Sequence, residues 1–304
     1  MDNTENIKNI IRLFKRLGIK KYKLKSNNLT FFNKGLSKYN EGLFILNNNH
    51  DKYKDFVLKK ANINNKVLIL HDKPNMLVTY NFIHEIIITK LISDIYSLFS
   101  RTNIKYFYGY VIDNDIYMIL NRIKGDTLFF TYKSLSPFEL NALFVHIIYH
   151  IFFLFENYTY GDNWDLHFGN IMVYKTDIKY IKYKYMNGDI LKLRVFGYLP
   201  HIIDFGNVRI QKIKYKNKIY PKTDYLISMY WLDKLTKNKH EFHYKFFTSI
   251  LKFFERCESL EIFNLFTYEW NNVKKNNPET YTTFTCEELL HRPKISKFIN
   301  EKMK

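Results

Sequence analysis

The most apolar stretch of the chain, Leu143 to Phe155, limits what the rest can fold into. It is shorter than the roughly 20 residues a bilayer crossing needs, and it carries His146 and His150. Such a segment reads as the central buried helix of a domain, and other elements must cover it. Just ahead of it, Ser136-Pro137-Phe138-Glu139 has the capping-box pattern with proline in the first turn, which starts the helix there. With 304 residues, 46% of them apolar, the chain can build one large or two modest domains with a proper core.

The elements around that helix divide unevenly. The first half reads as strands with one helix. Phe44 to Leu46 and Asp55 to Lys59 are β-prone, and Asn81 to Tyr96 is apolar at helical spacing. Tyr106 to Ile112 and Ile116 to Leu120 flank Asp113-Asn114-Asp115, a hairpin turn signal. The second half is mostly helical, with a further helix expected near Thr223-Asp224. Lys179 to Phe196 breaks this pattern: it alternates and turns at Asn187-Gly188, as an inserted β-ribbon would. A strand-rich first third before a helix-rich remainder predicts an α+β protein of two lobes.

Two polar motifs follow the central helix. Asn163-Trp164-Asp165-Leu166-His167-Phe168-Gly169-Asn170 precedes a short strand, and Ile202-Ile203 leads into Asp204-Phe205-Gly206. This pair resembles the catalytic loop and D-F-G motif of the protein-kinase superfamily. Phosphoryl transfer needs a carboxylate to orient and deprotonate the attacking hydroxyl. A second carboxylate and an amide oxygen then hold magnesium against the phosphates. The resemblance gives these roles to Asp165, Asp204 and Asn170 respectively.

Upstream, Phe56-Val57-Leu58-Lys59-Lys60-Ala61 is similar to the family's V-A-I-K strand. Strand alternation puts Val57 and Lys59 on one face, toward adenine and phosphates, and Lys60 on the other. Glu85, in the Asn81 to Tyr96 helix, suits the ion pair that fixes the lysine. Tyr117 to Leu128 resembles the segment between kinase lobes, with Leu120 at the gatekeeper position and the main chain of Asn121, Arg122 and Ile123 at the adenine edge. Thr285 to Pro293 resembles the closing helices. The resemblance thus implies a bilobal kinase-like fold, with an antiparallel-sheet N-lobe carrying one helix and a mainly helical C-lobe. Its parts would be an N-terminal extension (1–28), an N-lobe (29–121) and a C-lobe (122–304) with a β-hairpin insertion at about 175–200. It implies ATP and Mg2+ (or Mn2+) as cofactors.

The chain departs from the family in three places. Gly35 to Gly42 keeps glycine only at its ends, as the first or the last of the phosphate-loop glycines, which makes a stiffer or differently shaped lid. His167 replaces a lysine and supplies less charge at the γ-phosphate. In this it looks like divergent Ser/Thr-type kinases of large DNA viruses, poxvirus-like, which would place it in host cytoplasm or the virion. The segment Asn207 to Asp224 lacks A-P-E. Asp224 is either the buried Asp of the next kinase helix or a plain N-cap.

The expected activity is transfer of the ATP γ-phosphate to Ser or Thr of a protein substrate. The alternatives are a small-molecule phosphotransferase of the same fold and a pseudokinase scaffold. The formal charge of +18 accompanies only two alanines and many Lys, Asn, Ile, Tyr and Phe residues, a pattern that AT-rich coding produces without any partner. What remains of it is attraction of ATP or an acidic substrate, with no specific nucleic acid. Two cysteines, Cys257 and Cys286, frame neither a secreted scaffold nor a four-thiolate zinc site, so a reducing, cytoplasmic compartment is expected. Residues 1–28 have no signal-peptide core, and no membrane span is expected. Oligomeric state is left open.

Overall fold

The computed structural model describes residues 8, 11–12, 14–23, 29–33, 40–46, 55–61, 82, 85–90, 92–93, 106–112, 116–157, 167–184, 190–205, 214–215, 218–219, 261–276 and 291–303. The chain is α+β, with antiparallel sheets and several helices. It divides into two compact units, one of residues 1–98 and 103–123, the other of residues 99–102 and 124–304.

The first unit is built on five strands: β1 (Leu29–Asn33), β2 (Asn40–Leu46), β3 (Phe56–Ala61), β4 (Phe107–Ile112) and β5 (Ile116–Asn121). They form one sheet in the order β1-β2-β3-β5-β4, every pairing antiparallel. Alternation along β3 and β5 sorts the side chains between two covered faces. Phe56, Leu58, Val111, Tyr117 and Ile119 form one buried cluster, with Tyr22, Phe44 and Tyr108 packed on it. The opposite face of β3 carries Val57 and Lys59, in register with Leu120 and Met118 of β5. Residues 82, 85–90 and 92–93 are helical, with Ile86, Ile88 and Ile92 fully buried, inside the helix expected over 81–96.

The segment read as an N-terminal extension packs into this unit. Phe14 is fully buried, its ring 4.7 Å from that of Tyr110. The chain then runs along β4: Tyr22 N–H donates to Tyr110 O, and Tyr110 N–H donates to Lys20 O. The approach is close enough that a Cβ on Gly109 would collide with the Lys20 carbonyl. Gly109 also has φ +156°, a backbone state that side chains rarely adopt.

The second unit centres on helix α1 (Pro137–Asn157). Its start is the expected capping box: Ser136 N–H donates to Glu139 Oε2 at 2.7 Å, and Glu139 N–H donates back to Ser136 Oγ at 3.3 Å. Residues 140–150 are buried on every side, as the apolar run predicts. Helices α2 (Glu261–Asn276) and α3 (Pro293–Lys302) pack in sequence, α1 on α2 and α2 on α3. Asn141 Oδ1 accepts the Ile262 N–H and so caps the start of α2. On another side of α1 lies the three-stranded sheet β10-β7-β6, made of β6 (Gly125–Thr127), β7 (Ile171–Lys175) and β10 (Tyr198–Ile202). Between β7 and β10 the chain leaves to form a separate ribbon of β8 (Tyr180–Lys184) and β9 (Ile190–Arg194). That is the inserted hairpin; its Asn187-Gly188 turn lies outside the described residues. A last pair, β11 (Lys214–Tyr215) with β12 (Lys218–Ile219), completes the strands. Among the described residues no helix is long and apolar enough to cross a membrane.

Candidate functional site

In the first unit the candidate residues meet across the covered face of the sheet. Lys59 Nζ donates to Glu85 Oε1 at 2.6 Å, and both side chains are only 8% exposed. Strand alternation brings Lys59 to this face beside Val57, and the helix places Glu85 opposite. Taking two charges out of water costs several kcal/mol each, so a pair like this contributes little net stability. It does hold an ammonium at a fixed point, which a site that binds an anion needs. Lys60 lies on the other face and is half-buried.

Farther along the sheet, Leu120 is buried and in register with Val57. Asn121 N–H donates to Tyr106 O at 2.7 Å, and Arg122 N–H donates to Asp55 O at 2.6 Å. Two of the three main-chain donors expected to meet a ligand are therefore engaged inside the unit. Ile123 N–H has no such bond among the described residues. Gly42 lies in β2 where the register with β3 shifts between Asn40 and Leu43, a bulge that a glycine accommodates. Gly35 lies outside the described residues.

In the second unit, His167, Asn170 and Asp204 come from the loops that open β7 and close β10. Ile171 and Ile202 are in register, and Ile203 N–H donates to Asn170 O at 2.9 Å. Asn170 and Asp204 thereby leave the same end of one strand pair. Asp204 has φ +63°, the only non-glycine residue with positive φ among the described residues. Left-handed backbone costs a side-chain-bearing residue about 1–2 kcal/mol, and strain of this kind persists where the surroundings over-determine it. Here Ile202 and Phe205 are both buried and pin the chain on either side, while the Asp204 side chain stays exposed. Phe205 is an anchor; Asp204 is what it presents.

His167 is oriented by its own turn. Its Nδ1 accepts the Gly169 N–H at 3.0 Å, and Asn170 N–H donates to the His167 carbonyl at 2.8 Å. With Nδ1 accepting, the neutral ring carries its proton on Nε2 and is a donor there. A Cβ on Gly169 would sit 2.8 Å from the His167 Cε1 and 2.9 Å from Nδ1, so a side chain would push the ring off its bond. Gly169 is a positioning residue that was absent from the expected set, although its place beside Asn170 in Asp165-Leu166-His167-Phe168-Gly169-Asn170 was the available signal. Asp165 and Gly206 lie outside the described residues.

Three more histidines lie outside the expected site, of which only His146 and His150 stand out in the sequence, within the apolar helix. His146 and His150 of α1 and His201 of β10 are all buried. Burial lowers His146 and His201 to about 4 and holds His150 well below its ordinary value, with the neighbouring His146 and His201 adding to the last shift. The His146 Nε2 bonds to the Arg194 carbonyl at 2.9 Å, so that nitrogen carries the proton. Among the described residues no three His, Cys, Asp or Glu side chains converge as a metal-binding group. Compared with known proteins, the chain matches no family model and is significantly similar to no curated protein.

Proposed function

We propose that the chain is an ATP-dependent phosphotransferase of protein-kinase-like, bilobal fold, acting on Ser or Thr of a protein. The observation that carries this reading is the buried Lys59–Glu85 pair. The motif resemblance pairs these two residues, and 26 positions of chain separate them. The strained Asp204 supports it from the second unit, since a carboxylate held there at a cost in stability suits a ligand better than a surface turn.

In this reading Lys59 holds the α- and β-phosphates, and Glu85 keeps its ammonium in place. Asp165 orients the acceptor hydroxyl and takes its proton. His167 donates from Nε2 to a phosphate oxygen. The Asp204 carboxylate and the Asn170 amide oxygen are hard oxygen donors of the kind magnesium takes, with the remaining positions left to phosphate and water. The bound ion would supply neutralising charge to the phosphates. The main-chain adenine contact falls to Ile123 N–H and neighbouring carbonyls.

The test is transfer of labelled γ-phosphate to a basic and an acidic generic protein, with Mg2+ or Mn2+. Wild type should label at least one of them, and Asp165→Asn should lose the signal by orders of magnitude. Equal signals from wild type and Asp165→Asn would refute the catalytic reading. Lys59→Met should be severe and Lys60→Met nearly silent.

A further inference from the structure

The β8–β9 ribbon is dispensable to the sheet from which it departs. Strands β7 and β10 are already paired antiparallel up to Lys175 and Tyr198, where a two-residue turn could join them. The insertion instead pairs Tyr180–Lys184 with Ile190–Arg194 in a ribbon with two unlike faces. Ile181 and Leu193, directly opposed, are buried, with Leu191 half-buried beside them. The other face carries Tyr180, Lys182, Ile190, Lys192 and Arg194, all exposed. Lys182 and Lys192 oppose each other in register, a like-charge pairing that weakens a ribbon. Asp177 is the one acid among the described residues of the insertion. A ribbon whose described outer face carries Lys182, Lys192 and Arg194 is suited to meet negative charge.

We infer that this face is a docking surface for an acidic, partly apolar segment of a partner protein. Charge complementarity makes the partner an anion, and two observations favour peptide over nucleic acid. Lys192 Nζ sits 4.0 Å over the Tyr180 ring, so that ring face is occupied and offers no stacking platform to a base. Ile190 is 60% exposed and Ile178 40%, aliphatic surface that a sugar–phosphate backbone leaves wet and a peptide side chain can cover. The place also suits docking. Asn170 and Asp204 leave one end of the β7–β10 pair, and the ribbon leaves the other, about 13 Å away at 3.3 Å per residue. A segment held on the ribbon leaves those two residues uncovered.

Binding is measured on the full chain without nucleotide, so the result is independent of whether phosphate is transferred. The probe is a fluorescent peptide of glutamates with two interspersed leucines, followed by anisotropy. Its comparators are the all-glutamate peptide and a single-stranded DNA of equal charge. The leucine-bearing peptide should bind more tightly than both. Lys182→Glu with Lys192→Glu should weaken it at least tenfold, and Ile190→Ser should remove the advantage of the leucines. Lys297→Glu, on the exposed face of α3, should change affinity less than twofold. Thermal unfolding of each variant confirms that it is folded, as changes at exposed positions should leave it. An unchanged affinity in the double variant overturns the proposal, as does an equal loss in Lys297→Glu. Tighter binding of the DNA, lost in the same double variant, overturns it in favour of a nucleic-acid surface.

Discussion

Ile203 donates its main-chain N–H to the carbonyl of Asn170 at 2.9 Å, so Asn170 and Asp204 hang from one hydrogen-bonded strand end. This bond makes the placement of Asp204 a property of β7 and β10, not of a free loop. It also lets the cost of that placement be measured apart from its use.

Asp204→Gly relieves the left-handed backbone, and Asp204→Ala does not. Urea denaturation should find the alanine variant less stable than the glycine variant by about 1 kcal/mol. Both should lose phosphoryl transfer by at least a hundredfold. Equal stabilities would mean the backbone relaxes there, and retained activity in either would remove Asp204 from the site.

Removing one member of the Lys59–Glu85 pair leaves the other buried without its opposite charge. Lys59→Met should therefore cost about 3–5 kcal/mol in unfolding free energy. The double change Lys59→Met with Glu85→Leu should recover much of that, because well-packed apolar residues replace buried ions at little net cost. Transfer activity should stay lost in the double variant. Recovery of activity with stability would make the pair purely structural.

Gly169→Ala should act through His167. The added methyl displaces the ring, so the loss of kcat should match that of His167→Ala, about tenfold for one neutral hydrogen-bond donor. The combined variant should be no worse than either alone, since residues acting as one unit are not additive. Additive losses would separate the two.

The buried histidines give a pH dependence with a defined sign. Their folded values lie below the ordinary 6.5, at about 4 for His146 and His201. Between those limits the unfolded chain binds more protons, so stability falls as pH drops from about 6.5 and levels off near 4. Each histidine contributes up to about 1.4 kcal/mol per pH unit in that window. His146→Gln keeps a donor for the Arg194 carbonyl, and it should flatten the slope measured by denaturation between pH 7 and pH 5.

Local rules made part of this legible. The Lys59 face follows from period-two alternation, the start of α1 from the Ser136–Glu139 box, and the ribbon from the Asn187-Gly188 signal between alternating runs. What stayed hidden depends on contacts distant in the chain. Aspartate tolerates left-handed backbone better than most residues, but nothing local to Asp204 requires φ +63°, which stands between the β10 pairing and buried Phe205. Phe14 sits among charged residues in the expected N-terminal extension, yet its ring finds Tyr110 nearly a hundred positions on. The engaged N–H groups of Asn121 and Arg122 were equally unreadable, because Tyr106 and Asp55 supply their acceptors through tertiary geometry.

The run of residues 20–22 along Tyr110 has a consequence for how the protein keeps to itself. β4 stands last in its sheet, and a last strand offers unpaired backbone groups to any passing chain. Lys20 and Tyr22 take the Tyr110 groups first, and Gly109 lets them come close enough to do so. The opening residues thus serve as a built-in guard against sticking. Trimming them away would leave a bare seam along Tyr110 for another copy to join.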